Sequence, residues 1–191
     1  MSEFYLDPVL HTGRPAEKRD PVEDGCYDLL DRLEIPYWRA DHDPAAAVEA
    51  CVAVAGVVGV PACKNLFLCT RNKSQYFLVM LPGDKPFRTA DFSRILGTSR
   101  LSFGSPEDML AMIGVVPGSV SILGLQYDKA LRVRLCIDRE ITLQKYMRCH
   151  PCRNTSTLRI ATTDVLDRLL PYLRHKPTII ELPRHAAATP D

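Results

Sequence analysis

The sequence predicts one α/β domain whose mixed strands form a single, strongly curled sheet flanked by helices, on three observations. Its 191 residues and 21.4 kDa fall in the range of one domain, about 100–200 residues. With 46% hydrophobic and 25% charged residues, the chain holds enough apolar material to offset the entropy of ordering it, which excludes wholesale disorder. Helical-period segments and short apolar runs then alternate without an internal repeat or a low-complexity block. The organisation reads as an extended lead-in over 1–20, the domain over 21–183 and a flexible tail over 184–191.

The lead-in mixes charges with Pro8 and Pro15 and shows no period. From Pro21 to Leu33, Val22, Cys26, Leu29, Leu30 and Leu33 recur at helical spacing, and IPYWRADHD predicts a strand after a turn. Asp43-Pro44 opens AAAVEACVAVAG, where proline suits the first helical turn and Gly56 the stop. The apolar runs Cys63 to Thr70 and Gln75 to Leu81, separated by Arg71-Asn72-Lys73-Ser74, predict a hairpin of two buried strands. A helix from about Arg88 to Leu96 ends at Gly97, and a short strand runs from Arg100 to Phe103. Ser105-Pro106-Glu107-Asp108 is a cap with acids near the positive helix end, for a helix that stops at Gly114. Strands follow from Leu131 to Ile137 and around Thr155 to Ala161, then a helix from Thr163 to Leu173 and a last strand from Pro177 to Leu182.

The formal net charge of +1 argues against a strongly cationic binder, yet the charge is unevenly spread. Residues 1–60 hold 5 Lys+Arg against 12 Asp+Glu, whereas 61–191 hold 19 against 11. Between Lys129 and Arg159 eight basic residues face only Asp138 and Glu140. That stretch is either a face balanced by the acidic N-terminal part or a surface that meets a polyanion. Seven cysteines, an odd number without framework spacing, read as reduced thiols of a cytoplasmic protein. No basic-then-apolar leader and no run approaching the ~18 apolar residues of a span is present, so no membrane association is expected.

Three segments could carry chemistry. Lys64-Asn65 directly precedes an apolar strand; the lysine reads as a solvent-facing edge residue or as an ammonium at a pocket mouth, holding a phosphate or a developing oxyanion. Pro117-Gly118-Ser119-Val120-Ser121 reads as an ordinary turn or as a loop whose backbone approaches a ligand closely. Cys149-His150-Pro151-Cys152-Arg153-Asn154 has the C-x-x-C spacing of a zinc or redox site, but a structural zinc needs four ligands and no second pair exists, so no metal is expected. As a polar patch, His150 and Asn154 suit the orientation of a substrate or a water. A thiolate nucleophile at Cys149 or Cys152 would be favoured by Arg148 and Arg153. There is no Walker loop, G-x-G-x-x-G, H-E-x-x-H or G-x-S-x-G, which removes support for several common enzyme classes.

Taken in order, KNLFL at 64–68, QYFLVMLPGDK at 75–85, LGTSRLSFGSPEDM at 96–109, GVVPGSVSILGL at 114–125 and CHPCRNTST at 149–157 resemble the free-standing prolyl-tRNA editing proteins of the YbaK/ProX family. That family is related to the editing domain inserted in bacterial prolyl-tRNA synthetase; the resemblance runs from about Asp24 to Leu182 and lies nearer the ProX branch. It implies a barrel-like α/β fold of the editing-domain type and a cofactor-free hydrolase cleaving the ester between a small amino acid and the terminal adenosine of tRNA. Alanine on proline tRNA is the substrate implied first, with cysteine, or a non-catalytic tRNA or amino-acid sensor, as alternatives. Carried over by motif, Lys64 engages the terminal nucleotide, with Asn65 beside it. Gly118, Ser119, Val120 and Ser121 cradle the aminoacyl group and help place the water, and His150 and Asn154 line the same pocket. Arg148 and Arg153 are the expected tRNA contacts, prolyl-tRNA synthetase is an expected transient partner, and a monomer or weak dimer is the expected state. Ile122 stands where the family's loop often ends in proline.

Overall fold

A computed structural model describes residues 4–45 and 47–184. Among the described residues nine strands lie in two sheets. The first has the order β1 (His11–Thr12), β2 (Tyr37–Asp41), β8 (Ser156–Ala161) and β7 (Tyr146–Cys149), with every pair antiparallel. The second has the order β5 (Leu101–Phe103), β3 (Cys63–Thr70), β4 (Tyr76–Pro82), β6 (Val133–Asp138) and β9 (Thr178–Ile180); β4, β6 and β9 run parallel and the rest antiparallel. The expected single, curled, barrel-like sheet is therefore corrected to two open sheets. The physical reason lies in β4, all seven residues of which are buried. Tyr76, Leu78 and Met80 enter one core, and Phe77, Val79 and Leu81 another, so both faces of this sheet need cover, which the first sheet gives on one side and the helix Thr89–Leu96 on the other.

The larger core fills the space between the sheets. It takes Phe67 from β3, Leu135 from β6, Met147 and Cys149 from β7 and Leu158 and Ile160 from β8. Helix α1 (Pro21–Arg32) adds Cys26, Leu29 and Leu30, and α4 (Pro106–Ile113) adds Met112 and Ile113. Beneath the second sheet, Phe92 of α3 (Thr89–Leu96) packs on Phe77, edge to face at 5.7 Å. Outside the first sheet, Val54 and Val58 of α2 (Val48–Val58) cover Ala40.

Local signals fix most boundaries. Asp20 caps α1 by accepting from the Val22 amide, with Pro21 in the first turn, and Ser105 caps α4 through the Asp108 amide. Helix α2 starts later than expected and runs through Gly56; its stop is Gly59, in the left-handed region at φ 68°. Four elements escaped the sequence reading: β1, β7, the single turn α5 (Arg139–Thr142) and a short 3-10 helix at Ile122–Tyr127. The first two exist through pairing with β2 and β8, a cause no local window contains. The lead-in is thus tied to the first sheet, with a further bridge between Leu6 and His42. Helix α6, residues 162–172, includes a wide π-type turn at Val165–Leu169. Of the expected tail, residues 185–191 lie outside the described residues, and Arg184 is ion-paired to Asp84 and Glu140.

Candidate functional site

Period-two alternation along β3 divides the Lys64-Asn65 pair. Cys63 and Phe67 belong to the inter-sheet core and Leu66 and Leu68 to the core beneath α3, which places Asn65 on the first face and Lys64 on the second. Lys64 is half-buried, and its ammonium donates to the Lys85 backbone carbonyl at 2.8 Å. With Cys51, Val52, Ala62, Gly83 and Asp84 it lines a cleft of about 420 Å³. Cys63, at the same cleft, donates its thiol to the Arg148 carbonyl at 3.4 Å, joining the start of β3 to β7.

The loop after α4 is built around a glycine. Gly118 has φ 85°, where a side chain would be strained, and a Cβ there would lie 3.6 Å from Asn154 Nδ2. The Ser119 amide is taken by the Val116 carbonyl at 3.0 Å, and Ser119 and Val120 are buried. Ser121 is fully buried: its hydroxyl donates to the His150 carbonyl at 2.5 Å and accepts from the Leu123 amide at 3.2 Å. The latter bond caps the short 3-10 helix Ile122–Tyr127, so a serine cap sets the turn that leads into Ile122.

β7 delivers His150 to this loop. Its Nδ1–H donates to the Ser156 carbonyl at 2.8 Å; a carbonyl only accepts, which leaves the lone pair on Nε2. Burial pushes its pKa down to about 4; the Ser156 bond opposes this, while His42 and Arg148 add to it. The ring is neutral at physiological pH. Edge-on at 6.0 Å lies His42, whose Nδ1–H donates to the Asp43 carbonyl at 2.8 Å and whose Nε2 accepts from the Thr157 hydroxyl at 2.9 Å. Thr157 Oγ1 is also 3.5 Å from His150 Nδ1. Asn154 Oδ1 accepts from the Ala45 amide at 3.4 Å, so the same loop reaches the approach to α2. Sequence reasoning missed His42 and Thr157. His42 falls at the end of the predicted strand IPYWRADHD, just before the helix start at Asp43-Pro44, with no chemistry assigned to it.

The arrangement has a consequence for acid stability. A histidine whose folded pKa is lowered takes up a proton on unfolding, so its stabilising effect is complete above about pH 6.5 and is lost as pH falls toward its folded value. Burial lowers His42 and His175 as well. Urea unfolding between pH 6.5 and 4 is expected to show stability dropping with acid, and His150→Gln to flatten that slope by up to about 1.4 kcal/mol per pH unit. An unchanged slope in the variant would contradict the assignment.

Arg148 and Arg153 do not stand at the surface as free cations. Arg148 is 7% exposed and donates to the Cys51 carbonyl at 3.4 Å, and Arg153 is ion-paired to Asp20 at 2.8 Å. Arg159 lies over Trp38 and Tyr146, 4.5 and 5.0 Å from their ring centres. All seven cysteines are free thiols. Burial pushes the Cys149 thiol up, against a thiolate nucleophile there. Among the described residues no three His, Cys, Asp or Glu side chains converge as a metal donor set, and none of their helices is long and apolar enough to cross a membrane.

The structure thus brings Gly118, Ser121, His150 and Asn154 together, adds His42 and Thr157, and sets Lys64 at a neighbouring cleft. Residues 42–168 match the family described as the aminoacyl-tRNA editing domain. Prolyl-tRNA synthetase associated domain-containing protein 1 of Danio rerio is 30% identical over 168 residues, covering 87% of this chain and 88% of that protein. Prolyl-tRNA editing protein ProX of Acetoanaerobium sticklandii is 26% identical over 137 residues, covering 71% and 83%. A solved structure described provisionally as a trans-editing enzyme for prolyl tRNA synthetase superposes with a TM-score of 0.63 at 13% identity, covering 87% of this chain and all of that one, a likeness of fold.

Proposed function

The chain belongs to the aminoacyl-tRNA editing domain family, and from that premise we propose that it is a free-standing deacylase. Its substrate is mischarged proline tRNA, alanine being the amino acid removed. The names of the two curated relatives point to the proline system. The observation that carries the reading is the direct joining of the two loops: Ser121 holds the His150 backbone while Gly118 packs against Asn154.

In this mechanism His150 acts as a neutral imidazole. With Nδ1–H committed to Ser156, Nε2 accepts a hydrogen bond from the attacking water, and at a pKa of about 4 it orients that water more than it deprotonates it. The Ser119 amide is already bonded, so the amides of Gly118 and Val120 are the loop's donors to the developing oxyanion. The ester's leaving group is a ribose hydroxyl, which lets a positioned water and a stabilised oxyanion suffice without a covalent intermediate. Lys64 holds the phosphate side of the terminal nucleotide at its cleft. Selection by size explains the need for the reaction: missing methylenes give a synthetase only about 1–3 kcal/mol of discrimination, and a small second site excludes the larger, correct amino acid.

The test is a deacylation panel. Purified protein should release alanine from alanyl-tRNA(Pro) in the presence of a chelator and leave prolyl-tRNA(Pro) intact. Release from the cysteinyl form alone would move the substrate to cysteine, and a chain that binds tRNA yet leaves the alanyl, cysteinyl and seryl forms intact would refute the hydrolytic reading.

A further inference from the structure

Lys64, on the reading just proposed, is useful through a positive charge available at its cleft, and the cleft holds a competitor for that charge. Asp84 lines the same cavity and is the direct neighbour of Lys85, whose carbonyl receives the Lys64 ammonium. A carboxylate lining the same cleft, if left unpaired, would compete with an incoming anion for the field of the ammonium. It is not left unpaired. Arg184 grips it from the far end of the chain, Nη1 to Oδ2 at 2.8 Å and Nη2 to Oδ1 at 3.4 Å. The same guanidinium binds Glu140 through Nη2 at 2.5 Å and Nε at 3.1 Å. Lys85, 3% exposed, binds Asp138 at 2.8 Å and Glu140 at 3.0 Å. Asp84, Asp138 and Glu140 thus each have a cation other than Lys64. Arg184 holds the Asp84 carboxyl below its usual range, and Arg184 followed by Lys85 brings Glu140 to about 2.

We propose that Arg184 is a positioning residue: it keeps Asp84 engaged so that the Lys64 ammonium stays free for an anionic group of the substrate, a nucleotide phosphate by its chemistry. Stability does not account for the clamp. The side chains of Arg184 and Asp84 are 48% and 71% exposed, and exposed pairs contribute little to folding. What the pair does is decide which cation the carboxylate faces. Removing Arg184 leaves two cations, Lys64 and Lys85, among three carboxylates, a local field that repels phosphate.

The inference rests on the proposed role of Lys64, and the experiment separates the two. Deacylation kinetics at low salt are measured for Arg184→Ala, Arg184→Ala with Asp84→Asn, and each in a Lys64→Ala background, with calorimetric binding of AMP as a second readout. Arg184→Ala is expected to raise KM and weaken AMP binding about fivefold, less so as salt rises, with kcat and the melting temperature held. Adding Asp84→Asn should restore both to within twofold, and in the Lys64→Ala background Arg184→Ala should change neither. A loss that persists with Asp84→Asn or without Lys64, or no loss at all, overturns the inference. Wild-type protein that deacylates nothing yet shows this pattern in AMP binding retires the deacylase reading and leaves the role of Arg184 standing.

Discussion

Replacing Lys64 by alanine should lower kcat/KM for alanyl-tRNA(Pro) about 100-fold, on the scale seen when one charged or oxyanion donor is removed from a dry site. The reason is geometric: the ammonium is fixed by one backbone carbonyl, that of Lys85, in a cleft with mainly apolar walls. A charge there acts in a lower dielectric than at the open surface. Because Lys64 is half-buried at the start of β3, truncation removes little packing, and the melting temperature should move by only a few degrees. A loss smaller than about threefold, measured under single-turnover conditions, would place the chemistry elsewhere.

Replacing Lys85 by methionine should cost about 3–5 kcal/mol of stability, the range for breaking a buried ion pair on one side. Asp138 is fully buried, and Lys85 is the cation on its Oδ2. Without it the carboxylate must protonate or stay charged in the core. Adding Asp138→Leu should recover less than such double changes often do. Asp138 also accepts from the Glu140 amide at 3.1 Å and the Leu182 amide at 3.1 Å, and both would lose their acceptor. Denaturant unfolding reads the two numbers; a single variant within 1 kcal/mol of wild type would deny the pair its structural weight.

What the sequence made legible was mostly local. α1 announces itself through apolar spacing, α3 through Gly97 as its stop, and α4 through Ser105 as its cap and Gly114 as its stop. The partition into two sheets was not legible, because which strands pair depends on covering β4 on both faces. β7, four residues with an arginine inside, looks like a loop until β8 is beside it. The partners of the basic stretch were not legible either: Arg153 meets Asp20, 133 positions earlier, and Arg148 turns inward to α2. Of the candidate site, the residue types and motifs were readable. The placement of Lys64 and Asn65 on opposite faces was also implicit in strand alternation, whereas the contact of His42 with Thr157 joins the end of β2 to β8 and comes from a residue outside every motif.

The sheet arrangement bears on when the chain becomes competent. The residues gathered around His150 come from positions 42, 118–121 and 154–157, and Lys64 sits at the edge of the other sheet. Pairings of this kind, together with the parallel β4, β6 and β9, demand closure of long loops before they reward the chain. A partly folded chain, or a nascent one still lacking β7 and β8, holds none of the bonds that orient His150. Under the proposed function, hydrolytic capacity then arrives late and all at once, so an incompletely made protein poses no threat to the cell's correctly charged tRNA.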